Sequence, residues 1–158
     1  MAASTAKNIF NAIVDLLTKA QESGSLKYVG EIFQGVRQRT DIADSATPAI
    51  ILEPLSEREE NHSTPYYKRV FLTISITCWM KVLGVNTQIV GETKAGADTK
   101  GIMDFVADVK NVINSSNNLE GTAIMLKFPT TSYFFEAYPY RSAEIQIEVE
   151  FICQYNAR

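Results

Sequence analysis

From Val70 to Val82 the even positions, Val70, Leu72, Ile74, Ile76, Cys78, Met80 and Val82, are all apolar. The odd positions include Thr73, Ser75, Thr77 and Lys81, with Phe71 and Trp79 as exceptions. A period of two sends successive side chains to opposite sides of a strand, so this segment predicts a β-strand with one core-facing side. Extended back to Tyr66 it would span about 55 Å. That is longer than strands usually are, so part of it is expected to bend or to project as a hairpin arm. The same alternation returns near the C-terminus. There Ala143, Ile145, Ile147, Val149, Phe151, Cys153 and Tyr155 interleave with Glu144, Gln146, Glu148, Glu150, Ile152 and Gln154.

Two other stretches carry the helical period. Ile9, Phe10, Ile13, Val14, Leu16, Leu17 and Ala20 make one apolar stripe over residues 8–20. Ser4 or Thr5 is placed to cap the start, and Ser23-Gly24-Ser25 supplies the stop. Ile102, Met103, Phe105, Val106, Val109, Val112 and Ile113 form a second stripe. Asp98 or Thr99 is expected to cap it, and the run from Asn114 to Asn118 ends it.

Shorter signals fill the gaps. Residues 26–33 predict a strand that Gly30 weakens or bulges, and 34–46 predict a connection. The PAIILE run over 48–53 reads as a brief buried strand, and the charged PLSEREENHSTP segment over 54–65 as a loop. Residues 83–100 form a long loop of the kind that is often functional or mobile, with Ile89-Val90 able to add one short strand. Residues 122–128 and 133–138 predict two strands separated by Pro129, before a turn over 139–142. The expected order is α-β-β-β-α-β-β-β. With one apolar stripe per helix and one apolar side per long strand, this gives a single α+β domain over 1–158. Its mostly antiparallel sheet carries both helices on one face, with flexible loops near 54–65 and 83–100.

Composition narrows the function classes. The chain has 158 residues, 46% hydrophobic and 21% charged, which fits one folded core. Its formal net charge is −3, from 15 basic and 18 acidic residues, and Arg37/Arg39 and Lys68/Arg69 do not extend into a basic stripe. That argues against duplex binding, which depends on neutralising phosphates. The N-terminal segment is interrupted by Asn11 and Asp15 and does not read as a signal peptide. No stretch approaches the roughly 20 apolar residues of a membrane span. The chain is therefore expected in the cytoplasm where it is made.

Chemistry-bearing constellations are sparse. His62 is the lone histidine and lies in a charged segment beside Asn61 and Ser63, with no nucleophile held against it. Cys78 and Cys153 fall in the apolar phases of the two long strands and read as buried thiols. A disulfide between them is possible if those strands are neighbours, and nothing demands one. No His, Cys and carboxylate clustering has metal-ligand spacing, and no glycine pattern cradles a phosphate, so neither metal nor cofactor is expected. Glu144, Glu148 and Glu150 share one strand face, with i, i+2 neighbours roughly 7 Å apart, near the spacing of glycosidase carboxylate pairs. Without a pocket to raise a carboxyl pKa, that face reads as solvated, or in an oligomer as the lining of a surface or channel. The aromatics Tyr133, Phe134, Phe135, Tyr138 and Tyr140 lack interleaved Lys or Arg, so they suit packing better than base stacking.

Five segments in order carry a resemblance: NIFNAIVDLLTKA, TPAIILEP, YYKRVFLTISITCWMKV, KGIMDFVADVKNVI and AEIQIEVEFICQY. In element order, size and texture they resemble the tail terminator (tail completion) proteins of long-tailed bacteriophages. The match covers most of the chain and includes no sharp motif; the segment 83–100 has no fixed place in it. The resemblance implies a structural virion protein rather than an enzyme. It implies a homo-oligomeric ring, usually of six subunits, that caps the tail tube protein and meets the head connector proteins. The ring would be assembled in the host cytoplasm and would reside in the virion tail, with DNA only as passing cargo. On that reading Glu144, Glu148 and Glu150 are candidates for a channel or subunit-interface face. Glu57, Arg58, Glu59, Glu60, Thr87, Gln88, Glu92 and Lys94 are candidates for partner-docking loops. The alternatives are a small-molecule-binding α+β domain or enzyme with a pocket between helices and sheet, and a monomeric adaptor that binds by strand addition.

Overall fold

The computed structural model describes residues 5–35, 41–61, 65–82, 89–94, 97–116, 119, 121–134 and 136–154, with the backbone alone at 92–94 and 97–99. Helix α1 runs over Ala6–Ser23. The Thr5 hydroxyl accepts the Asn8 N–H at 3.2 Å, and the Gly24 N–H closes the last turn onto the Ala20 carbonyl at 2.9 Å. Strand β1 covers Glu31–Gln34 and is followed by a single 3₁₀ turn at Asp44–Ala46. Strands β2 (Ala49–Asn61) and β3 (Tyr67–Lys81) form a long hairpin, and β4 (Glu92–Lys94) and β5 (Ala97–Thr99) a small ribbon. Helix α2 (Ile102–Asn114), β6 (Met125–Phe134) and β7 (Tyr140–Gln154) complete the chain.

Five strands form one sheet in the order β1-β2-β3-β7-β6. All its pairs are antiparallel except β1 with β2, so the sheet is mixed. Rows such as Leu52, Ile76 and Ile145 stack apolar side chains on one face, where Ile9, Ile13 and Leu17 of α1 and Phe105, Val109 and Ile113 of α2 complete a single core. Each of these buried side chains contributes about 1.5–3 kcal/mol of transfer free energy. Both helices therefore lie on one face, as their stripes predict, and the fold is α+β.

Several expectations fall on the strand ends. The 54–65 segment is not a loop throughout: its first part continues β2 to Asn61, because β3 offers a ladder from Ile74 to Lys68 that satisfies the polar backbone whatever the side chains prefer. Residues 122–128 and 133–138 are not two strands. They yield one strand, β6, whose register shifts by one residue between Lys127 and Thr130, so Pro129 sits at a bulge instead of a break. In the 26–33 segment only Glu31–Phe33 is extended. A Cβ on Gly30 would collide with the Ala46 carbonyl, so this glycine serves the close approach of residues 46–48, and its N–H donates to the Pro48 carbonyl at 2.7 Å. Ile89 and Val90 form no strand; the two-stranded ribbon lies just beyond them. The N-cap of α2 is Gly101 in place of Asp98 or Thr99, and Asp104, in the first turn, accepts the Gly101 N–H at 2.9 Å. His62, Thr87 and Gln88 lie outside the described residues.

Candidate functional site

The sheet face opposite the helices is polar along its middle. Thr73, Ser75 and Thr77 of β3 stand beside Glu148, Gln146 and Glu144 of β7, and Lys127 and Ser132 of β6 flank them. The three glutamates do not behave alike. Glu144 and Glu148 are half-buried side chains: Glu144 accepts from Gln146 Nε2 at 3.2 Å, and Glu148 pairs with Lys127 Nζ at 3.4 Å. Glu150 is only 3% exposed and is covered by Arg69, whose Nε donates to it at 2.8 Å. Arg69 in turn lies over Phe71, as does Arg58 at 4.1 Å from the ring centroid, and Arg58 also pairs with Glu60. Hydrogen bonding to Glu150 holds the Arg69 guanidinium above its ordinary pKa. Glu150 is thus part of a packed ion pair, and only Glu144 and Glu148 remain available to line a surface.

At one end of this face a second small core forms. Ile42, Ala46, Ala49, Ile51 and Trp79 are buried together, and Tyr140 stacks on Trp79 with 5.2 Å between centroids. Asp44 fastens the covering segment by accepting from Lys81 Nζ at 2.9 Å and from the Tyr140 hydroxyl at 2.8 Å. These two donors hold the Asp44 carboxyl below its usual range.

Glu57, Arg58, Glu59 and Glu60 all lie on the exposed half of β2. Beyond Leu52 no described strand pairs with the outer side of β2, because β1 reaches only Ala49–Leu52. Leu55 is 50% exposed, and Tyr66, 60% exposed, closes the hairpin with φ +76°, a conformation that costs a non-glycine residue about 1–2 kcal/mol. Of the other candidates, Glu92 and Lys94 belong to the β4–β5 ribbon, separate from the main sheet.

The opposite margin is β6, also without a described strand on its outer side. Its end carries exposed Tyr133 and Phe134, which with Ile89, Ile102, Met103 and Arg141 border an open groove of about 360 Å³. Sequence reading missed this groove because its wall comes from the anchored end of the long loop. The Ile89 carbonyl accepts the Met103 N–H at 3.0 Å, and Asp104 accepts the Gly91 N–H at 2.6 Å. The only signal was the run of unaccompanied aromatics after Pro129.

The layer between helices and sheet is filled with side chains, and a small cleft of about 160 Å³ lies between α1 and residues 119–122. Tyr28 donates to Asp108 Oδ2 at 2.7 Å, with Lys100 on the same oxygen at 3.0 Å; burial, then this bond, pushes the phenol upward in pKa. Burial does the same to the Cys78 thiol. Cys78 stands opposite Ala143, ten positions from Cys153 along β7, so the two sulfurs lie about 33 Å apart and cannot bond. Among the described residues no group of His, Cys, Asp and Glu could hold a metal, and no helix is long and apolar enough to cross a membrane. No protein-family model matches the chain, and a search of curated proteins finds no match either.

Proposed function

We propose that the chain is a structural assembly subunit, a ring-forming tail terminator of a long-tailed phage that caps the tail tube and joins it to the head connector. One observation carries the proposal: the main sheet ends in two unlike margins that no described strand pairs, the charged outer half of β2 and the apolar-ended β6. A subunit with two different open surfaces associates head to tail, and head-to-tail contacts close into rings when the rotation allows. Charge on the β2 margin and Pro129 at the β6 bulge discourage indiscriminate strand addition, so what these edges suit is one matched partner. The resemblance in element order supplies the biological role and the number six. Glu144 and Glu148 give such a ring an acidic lining along which DNA would pass without adhering.

Native mass spectrometry with negative-stain imaging tests this reading. A closed hollow ring is expected. A lone particle at high concentration, or turnover of a substrate, overturns it.

A further inference from the structure

On the premise of that ring, we infer that the outer edge of β2 over residues 53–61 in one copy pairs with β6 of the next, so that the sheet continues from copy to copy. Strand direction comes first. β3 runs against β2, β7 against β3 and β6 against β7, so β2 and β6 point in opposite directions at opposite margins. In a ring whose axis follows the strands, every copy keeps its direction. The β6 of one copy then meets the β2 of its neighbour antiparallel, the better ladder.

The rows of the sheet set the register between copies. Ser56, Thr73, Glu148 and Lys127 form one row across the sheet, and Glu53, Ser75, Gln146 and Thr130 form another. At this level Thr131–Phe134 of β6 would meet Ala49–Leu52, which β1 already covers, so the next copy's β6 slides by four residues, from the level of Ala49 to that of Glu53, and sets Phe134 against Glu53.

Charge separates this pairing from its competitors. The exposed part of β2 carries Glu53, Glu57, Glu59 and Glu60 against one arginine, Arg58. β6 has no carboxylate; it carries Lys127, with Lys110 beside it over the Phe128 ring at 5.7 Å. Two β2 edges placed together would set glutamates against glutamates, so unlike edges are favoured over like ones. Pro129 at the bulge interrupts β6 and limits open-ended pairing, while leaving Thr130–Phe134 continuous.

A continuous sheet fixes which face looks inward. The helix layer needs the larger circumference and takes the convex side, so Glu144 and Glu148 face the opening. Four strands from each of six copies, spaced about 4.8 Å apart, give a circumference of about 115 Å and a backbone radius of about 18 Å. After side chains, an opening of about 25 Å remains, more if the strands tilt, and this passes a DNA duplex.

Cross-linking tests the contact. A Cys153→Ser background removes the half-buried thiol and leaves only buried Cys78. Into it go Ser56→Cys and Thr130→Cys, both on the open face and exposed. With a short bismaleimide, the doubly substituted chain is expected to give a ladder of covalent species ending at the full ring. Each singly substituted chain should give none, and an equal mixture of the two single variants should give dimers and nothing larger. A ring intact by native mass in which the double variant does not link overturns this interface and leaves the ring reading standing. A single variant that links to itself means that like edges meet, and also overturns it. If the unsubstituted chain is monomeric, the ring falls, and this contact with it.

Discussion

Asp44 shows how one exposed side chain can hold a piece of fold in place. It receives Lys81 and Tyr140, and Tyr140 lies on Trp79, the single tryptophan of the chain. Because the folded state holds its carboxyl below the unfolded value, the stabilising contribution is present above the ordinary carboxylate range and is lost as pH falls through the lowered value. Acid titration followed by Trp79 fluorescence should therefore show a transition below that range, and Asp44→Asn should abolish it. Two adjacent residues of β3 give a second comparison. Ile74 is fully buried beneath the helices, whereas Thr73 faces the other way. Ile74→Ala should cost about 2–5 kcal/mol in urea unfolding. Thr73→Ala should cost no more than about 1 kcal/mol.

At the scale of elements, the join between the long loop and α2 depends on the absence of a side chain. A Cβ at residue 101 would collide with the Ile89 carbonyl and the Val90 nitrogen. Gly101→Ala should push residues 89–91 off the helix start, at a cost of about 1–3 kcal/mol. Hydrogen exchange at the Gly91 and Met103 amides should accelerate more than elsewhere, since these donate across the join. The elements also show what local pattern can reveal. The two helices and the two long strands follow from periodicity, because each buries a single side whose spacing identifies the element. The outer half of β2 was not legible. Glu57 to Glu60 favour a loop by type, and only a partner strand 12 or so positions later makes them a strand. Pro129 misled in the same direction, since an edge strand tolerates a proline at a bulge.

For the whole molecule, the asymmetry between the two sheet faces matters most. Helices cover one face, while the other presents Glu144 and Glu148 to whatever lies against it. If DNA passes that face, the wild-type protein should not retain duplex DNA in a gel-shift assay. Glu144→Lys with Glu148→Lys should gain binding at low salt, and that binding should fall steeply as salt is raised, as phosphate contacts do. Retention by the wild type, or a variant indifferent to salt, would count against an acidic channel. Of the candidate site, the glutamate row was visible in sequence as alternation. The burial of Glu150 under Arg69 was not, because those residues are 81 positions apart and meet only through the β3–β7 register.

Local pattern along the chain is enough to say which residues belong inside. Apolar spacing fixes the stripes of α1 and α2 and the inward sides of β3 and β7, since burying those sides is the largest favourable term available to the chain. Tertiary structure alone decided the order of the strands, the extension of β2 and the groove beside Tyr133 and Phe134. It also decided which margins of the sheet no described strand pairs. Those features depend on hydrogen-bonded partners and close approaches between segments far apart in the chain, and no local spacing encodes them.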